Sequence, residues 1–223
     1  MAEVRASSST GMIPLIQNFN TIILADGDFP AHRHSIVCMQ QAERIICCDG
    51  AAEKLVRSGV MPQHIVGDLD SLSDDLQHRF ASLLYRIPEQ ETNDLTKAVR
   101  FCLRNGWNEL TILGATGHRE DHTLGNISLL ADYAEKASVQ MLTDYGVFNV
   151  QFAAESYQSF AGQQVSIFSL TPNTRLTSEN LLYPLENRRL TSWWQGSLNE
   201  SSADHFSICM DEGRVLVFRK YDY

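Results

Sequence analysis

The sequence predicts an α/β unit with a mostly parallel sheet, followed by an all-β unit built as an antiparallel sandwich. Three observations carry this expectation. Up to residue 146, short continuous apolar runs alternate with helix-forming segments, the pattern of a parallel sheet buried on both faces. From residue 147 the runs become short, β-rich and partly alternating, separated by turn residues such as Gly162, Pro172-Asn173, Gly196 and Asp211-Glu212-Gly213. No helix-forming segment of useful length remains there, so the chain divides into domains at 18–146 and 147–223.

Residues 21–25 read as a first buried strand ending at Asp26-Gly27-Asp28. Residues 31–41 read as a helix whose face is blurred by His32, Arg33 and His34. A second strand at 44–48 ends at Asp49-Gly50, and a helix at 51–57 stops before Gly59. Residues 64–66 form the third strand, 73–82 a helix, and 83–87 a fourth strand closed by Pro88. Thr92 or Asn93 caps the next helix, which turns Leu95, Val99, Cys102 and Leu103 to one face and ends at Gly106. A fifth strand at 109–113 runs into Gly114-Ala115-Thr116-Gly117. A helix over 121–135 carries Leu124, Ile127, Leu130 and Ala131 inward, and 139–143 is a sixth strand. Strands are then expected at 147–152, 157–160, 164–170, 174–176, 190–194, 206–210 and 214–219. The first six strands with their helices read as a three-layer, Rossmann-like unit, in which ligands bind beyond the carboxyl ends of the strands.

Composition narrows the function. Hydrophobic residues make up 43% and charged residues 20%, an ordinary globular balance, and the formal net charge is −9. That sign argues against a nucleic-acid surface, which needs a basic face. A phosphate ligand would need a few local cations or a bound metal. Five cysteines, odd in number and without Cys-x-x-Cys spacing, fit a reduced, cytoplasmic setting. No apolar stretch approaches the ~20 residues of a membrane helix. Residues 1–10 are polar and Ser-rich, expected as a loose tail and not as a signal peptide.

The candidate chemistry sits at strand ends. Asp26/Asp28, Asp49 and Asp68/Asp70 each follow an apolar run. In Gly67-Asp68-Leu69-Asp70-Ser71 the carboxylates lie two apart, so on a strand both face one side and repel unless a cation or proton sits between them. Taken alone, the segment also reads as a solvated turn. Glu91-Thr92-Asn93-Asp94-Leu95-Thr96-Lys97 opens a helix whose free N–H groups suit an anion. Asp94 and Lys97 share a helix face and read either as a surface ion pair or as groups directed at a metal and a phosphate. Arg119, after the glycine loop, can pair a phosphate through two bonds, and Asp121 and His122 open the next helix. His32, His34, His64 and His78 are set aside. Zinc-type Cys/His spacing is absent, whereas an all-oxygen cluster suits Mg²⁺, which would bridge acids to ATP phosphates. In the second domain, Trp193-Trp194 on a strand would turn one ring inward and offer the other to a flat cationic ligand, with Ser197 and Asn199 at its polar edge.

Together these segments resemble the thiamine pyrophosphokinases in order and spacing. The residues that carry the resemblance are Cys48-Asp49-Gly50-Ala51-Ala52, Gly67-Asp68-Leu69-Asp70-Ser71, Thr92-Asn93-Asp94-Leu95-Thr96-Lys97-Ala98 and Leu113 through His122, with Gly125-Asn126 and Ser197-Leu198-Asn199-Glu200. The resemblance implies a homodimer with its active site between subunits. It implies Mg²⁺-dependent transfer of diphosphate from ATP to the thiamine hydroxyl, releasing AMP. Asp49, Asp68, Asp70 and Asp94 would handle Mg²⁺ and phosphates. Ser71, Thr92, Lys97, Arg119, Asp121 and His122 would position ATP, and Trp193 or Trp194, Ser197 and Asn199 would hold thiamine. Asp70, Asp94 and Asp121 are the expected catalytic carboxylates, with Asp94 or Asp121 accepting the hydroxyl proton. Two positions depart from the family pattern. His118 stands where a second glycine is common, and Asn180-Leu181-Leu182-Tyr183 stands where Gly-Leu-Lys-aromatic is frequent. The competing readings are another Mg²⁺-dependent phosphoryl-transfer enzyme or phosphohydrolase, and a non-catalytic nucleotide-binding module.

Overall fold

The computed structural model describes residues 20–222, so the expected N-terminal tail lies outside the described residues. The first half runs β1 (Thr21–Leu24), α1 (Arg33–Gln41), β2 (Arg44–Cys48), α2 (Ala51–Arg57), β3 (His64–Gly67), α3 (Asp74–Arg79), β4 (Leu84–Arg86), α4 (Asp94–Arg104), β5 (Glu109–Leu113), α5 (Glu120–Ala134) and β6 (Ser138–Leu142). It continues with β7 (Gly146–Gln151), β8 (Glu155–Gln158), β9 (Gln164–Ser169), β10 (Arg175–Glu179), β11 (Arg188–Arg189), β12 (Asn199–Glu200), β13 (His205–Met210) and β14 (Val215–Lys220). Single 3₁₀ turns occupy Ala81–Leu83 and Trp193–Gly196.

Ten strands form one sheet in the order β12-β9-β14-β7-β6-β5-β1-β2-β3-β4, and β11-β10-β13-β8 form a second. Strands β1 to β6 pair in parallel; β7 turns back antiparallel on β6, and β14, β9 and β12 extend the sheet from there. The continuous apolar runs follow from burial on both faces. Alternation sends Ile22, Leu24, Ile45, Cys47 and Ile65 to a core with Ala52, Leu55 and Leu76 of α2 and α3. It sends Ile23, Ile46, Cys48, Val66 and Ile112 to a core with Leu95, Val99 and Leu130 of α4 and α5. A third core joins the two sheets in the β-rich half, where Val165, Ile167, Val215 and Val217 meet Leu176, Phe206 and Ile208. The α/β-plus-sandwich expectation is therefore met.

Three local expectations are corrected. Residues 190–194 are not a strand: Trp193–Gly196 form a 3₁₀ turn, flanked by the short β11 and β12. A side-chain carbon at Gly196 would lie 2.0 Å from the Ile167 carbonyl oxygen, so the turn sits directly on β9. The fourth strand shrinks to three residues after a 3₁₀ turn. Leu124 is 57% exposed, because α5 packs on the sheet mainly through its second half, at Leu130, Ala131 and Tyr133.

The start of α1 leans on Tyr221, the residue that follows β14. His32 stacks on Tyr221 at 4.2 Å, His34 meets its edge at 4.7 Å, and Asp144 accepts the N–H groups of Ala31 and His32. Burial lowers both imidazole pKa values below the usual 6.5; Asp144 opposes this at His32, while His32 and Arg33 add to it at His34. The unfolded chain therefore binds more protons below that value, and stability falls as pH drops through it. Melting scans between pH 7.5 and 5.5 should show that decline. A His34→Gln variant should show a shallower one.

Candidate active site

The strand order reverses between β1 and β5, and the loops beyond these two strands meet there. Gly27 N–H donates to the Gly114 oxygen at 2.7 Å and Asp28 N–H to the Thr116 oxygen at 2.9 Å. Beside this junction, on the α4/α5 side, lies a cleft of about 430 Å³ lined by Asp68, Gln90, Asp94, Lys97, Arg119, His122 and their neighbours.

The acids converge by backbone turns, not by strand alternation. β3 ends at Gly67, and Leu69 adopts φ 70 while its side chain stays buried in the core. This reversal brings Asp70 N–H to Asp68 Oδ1 at 3.2 Å. Asp49 also has positive φ, 36, and is buried at the end of β2. Both are conformations that L-residues rarely hold without surrounding support. Carboxylate oxygens of Asp49, Asp68 and Asp70 all lie within 4.8 Å of one another. Gly67 makes room for them: a side-chain carbon there would stand 3.0 Å from Asp49 Cβ and 3.4 Å from Asp94 Oδ1.

Electrostatics at this corner are uneven. A hydrogen bond from Gln90 Nε2, 2.7 Å from Asp68 Oδ2, is the main cause that brings the Asp68 pKa down to about 2. The Asp70 pKa is raised, first by its side-chain hydrogen bond with Asp68 and then by that group's charge. Burial raises Asp49 against an opposing bond from Ser71, whose N–H reaches Asp49 Oδ2 at 3.3 Å. Asp49 Oδ1 is buried without a hydrogen-bond partner. A buried carboxylate oxygen left unpaired is costly, and a cation would satisfy it.

Lys97 is 2% exposed, with Nζ 2.9 Å from Asp94 Oδ1 and 3.7 Å from Asp68 Oδ2. Burial works to lower its pKa, but the bond to Asp94 and the charges of Asp94, Asp68 and Glu89 leave it raised. The pair expected on the helix face is thus sunk into the cleft wall. Asn93 caps α4 by accepting Thr96 N–H, and its own amide donates to Asn126, which in turn donates to the Ala115 oxygen. Thr92 Oγ1 is hydrogen-bonded to Glu89, whose other oxygen accepts Thr92 N–H.

Arg119 holds Asp121 through two bonds, 3.0 and 2.6 Å, and both side chains are well exposed. This pairing is the main cause that puts the Asp121 pKa down at about 2, and Asp121 does not line the cleft. His118 takes the left-handed φ of 58, which a glycine would adopt freely, and its Nε2 lies 3.1 Å from Asp28 Oδ1. Gln90 and Glu89 are the site neighbours that sequence reasoning did not select; they lie in the loop between β4 and α4, without a periodic signal.

The tryptophans are elsewhere. Trp193 and Trp194 are 46% and 74% exposed on the 3₁₀ turn, so neither faces inward as a strand pair would require; Trp193 meets Phe168 edge-on at 5.8 Å. Ser197 Oγ donates to the Trp194 oxygen at 2.7 Å. Asn199 is buried, its amide paired with the Tyr183 backbone at 3.1 and 2.8 Å. Seven interstrand steps separate β9, under this turn, from β3, beside the acids. At about 4.8 Å each, that is roughly 34 Å measured along the sheet.

Two family profiles match in tandem: "Thiamin pyrophosphokinase, catalytic domain" over residues 37–142 and "Thiamin pyrophosphokinase, substrate-binding domain" over 146–218. The chain belongs to the thiamin pyrophosphokinase family. Thiamine pyrophosphokinase 1 of Oryza sativa subsp. japonica is 26% identical over 200 residues, covering 76% of this chain and 75% of that one. The Bacillus subtilis thiamine pyrophosphokinase is 28% identical over 152 residues, covering 64% and 71%. In fold, the chain is similar to the thiamin pyrophosphokinase from Candida albicans, with a TM-score of 0.77 at 20% identity over 92% of this chain and 90% of that one. The Geobacillus thermodenitrificans thiamin pyrophosphokinase gives 0.76 at 21% identity, over 91% and 97%. The catalytic-domain profile covers the acid corner, Lys97 and Arg119, while the substrate-binding profile covers the tryptophan turn.

Proposed function

We propose that this chain is a thiamine pyrophosphokinase that moves a diphosphate group from ATP to the hydroxyl of thiamine. The observation that carries this is the cluster of Asp49, Asp68 and Asp70 beside the Asp94–Lys97 pair, with Asp68, Asp94, Lys97 and Arg119 lining one cleft, within the part of the chain matched by the family's catalytic domain. In the reaction the hydroxyl oxygen bonds to the β-phosphorus. The bond from that phosphorus to the oxygen bridging it to the α-phosphorus breaks, and AMP leaves with that oxygen.

The all-oxygen donor set and the orphaned Asp49 Oδ1 suit Mg²⁺, with Asp49, Asp68 and Asp70 as the residues that would hold it. When bound, the ion neutralises phosphate charge and polarises the transferring group. Lys97 anchors Asp68 and Asp94, and Arg119 presents a guanidinium to phosphate oxygens. Asp94 lines the cleft and Asp121 does not, so the hydroxyl proton is assigned to Asp94. Such transfers depend mainly on positioning and electrostatics.

The exposed tryptophans would hold thiamine by stacking on its cationic ring. Seven strand spacings, roughly 34 Å measured along the sheet, lie between their turn and the acids of the same chain, so a complete site needs a second copy, and we assign the working form as a homodimer. Co-expressing an Asp70→Asn chain with a Trp193→Ala/Trp194→Ala chain should restore about a quarter of wild-type turnover. Half the dimers are then mixed, and each mixed dimer holds one intact site. A mixture as inactive as either parent would contradict the shared site.

The function itself is tested by incubating the protein with ATP and Mg²⁺, with and without thiamine. AMP release that depends on thiamine supports the reading. Orthophosphate released without thiamine would replace it with a phosphohydrolase.

A further inference from the structure

The loop from β5 to α5 contains a turn of an uncommon kind. Arg119 N–H donates to the Gly117 oxygen at 2.8 Å, which closes a three-residue turn with His118 at its centre, and His118 holds a φ of 58. This is a γ-turn of the strained hand, and a residue with a side chain keeps it only with outside support. The turn stands directly before α5. The residue it delivers is Arg119, which lines the acid-bearing cleft together with His118.

The support comes from the β1–α1 loop. His118 Nε2 lies 3.1 Å from Asp28 Oδ1, with the ring nitrogen as donor and the carboxylate as acceptor. Asp28 is itself fixed. Its N–H bonds the Thr116 oxygen, and its carboxylate lies against bare backbone, since a side-chain carbon on Gly117 would stand 2.0 Å from Asp28 Oδ2. Lys54 of α2 grips the same loop at Asp26 Oδ1, 2.8 Å, and at the Gly27 oxygen, 2.9 Å. Contacts therefore run from α2 through the β1–α1 loop to the turn that aims Arg119. Asp28 lines a second cleft, of about 390 Å³, and His118 lines the first, so the clasp stands between the two clefts. Both side chains of the pair are more than half exposed, and such a pair adds little to global stability. Its effect is local: it holds one strained turn.

We propose that His118 is a positioning residue: by clasping Asp28 it holds the turn that directs the Arg119 guanidinium at phosphate oxygens, and it acts on the ligand only through Arg119. This rests on the ATP-dependent reading given above. The test measures binding of magnesium tripolyphosphate to the full chain and to His118→Gly, Asp28→Ala, Arg119→Met and their pairs. Glycine accepts the left-handed φ without strain but leaves the turn unclasped. His118→Gly and Asp28→Ala should each weaken binding by about three- to tenfold, the worth of one hydrogen bond. Combined, they should lose no more than either alone, and in an Arg119→Met chain His118→Gly should cost less than about twofold. The melting temperature and the KM for thiamine should stay at wild-type values. Unchanged tripolyphosphate affinity in His118→Gly would overturn the proposal. So would losses that multiply with Arg119→Met, which would put the imidazole on the phosphate itself. A lowered melting temperature with binding of both ligands impaired would overturn it too, by making the residue structural. If His118→Gly does not fold, His118→Asn takes its place: asparagine also tolerates this φ, and its side chain is too short to span to Asp28 as the imidazole does. A wild-type protein that makes no AMP from ATP and thiamine defeats the functional reading. Normal tripolyphosphate binding by the variants of an active protein defeats only the clasp.

Discussion

Asp70→Asn should lower turnover by at least about a hundredfold, the order seen when one electrostatic stabiliser of a transferring group is removed. Asp70 is one of three acids whose oxygens gather within 4.8 Å, and the charge it loses is the one its neighbours already oppose. The folded protein should therefore be no less stable. Without added metal its melting temperature should stay level or rise, because a like charge has left the cluster. With Mg²⁺ the wild-type protein should gain melting temperature and the variant should gain less. Loss of activity with this stability pattern places Asp70 in the reaction. Near-normal turnover would remove it from the metal corner.

Lys97→Met should hurt both stability and activity. The Lys97 ammonium is buried between Asp68 and Asp94, and its removal leaves two carboxylates without their cation. Breaking a buried pair in this way costs about 3–5 kcal/mol, and the partial exposure of Asp94 to the cleft moves the expectation to about 2–4 kcal/mol. Denaturant unfolding measures this directly. Adding Asp94→Asn should return part of the stability while leaving the enzyme inactive, since Asp94 is assigned the proton. A variant that recovers activity along with stability would make Lys97 and Asp94 purely structural.

How far the sequence reaches can be judged at single residues. The parallel strands were legible because burial on both faces leaves no polar alternation, as Ile22-Ile23-Leu24 and Ile45-Ile46-Cys47-Cys48 show. The acid motifs were legible as ligand candidates because each follows such a run. Their geometry was not. Leu69 carries no sign that it will adopt φ 70, a conformation imposed by burying its side chain below the turn. Trp193 and Trp194 have strong strand propensity, yet close contact between Gly196 and β9 makes their segment a turn. Leu124 fits a helical apolar stripe, but the first half of α5 overhangs the clefts and does not pack on the sheet. Gln90, whose amide donates to Asp68, sits in a loop where no periodicity marks it.

The central claim is transfer of an intact diphosphate from ATP to thiamine, and phosphorus NMR of the reaction reads it directly. Purified protein with ATP, Mg²⁺ and thiamine should yield AMP and thiamine diphosphate in equal amounts, with ADP and orthophosphate near the level of the protein-free control. ADP paired with thiamine monophosphate, or orthophosphate that accumulates without thiamine, would contradict it.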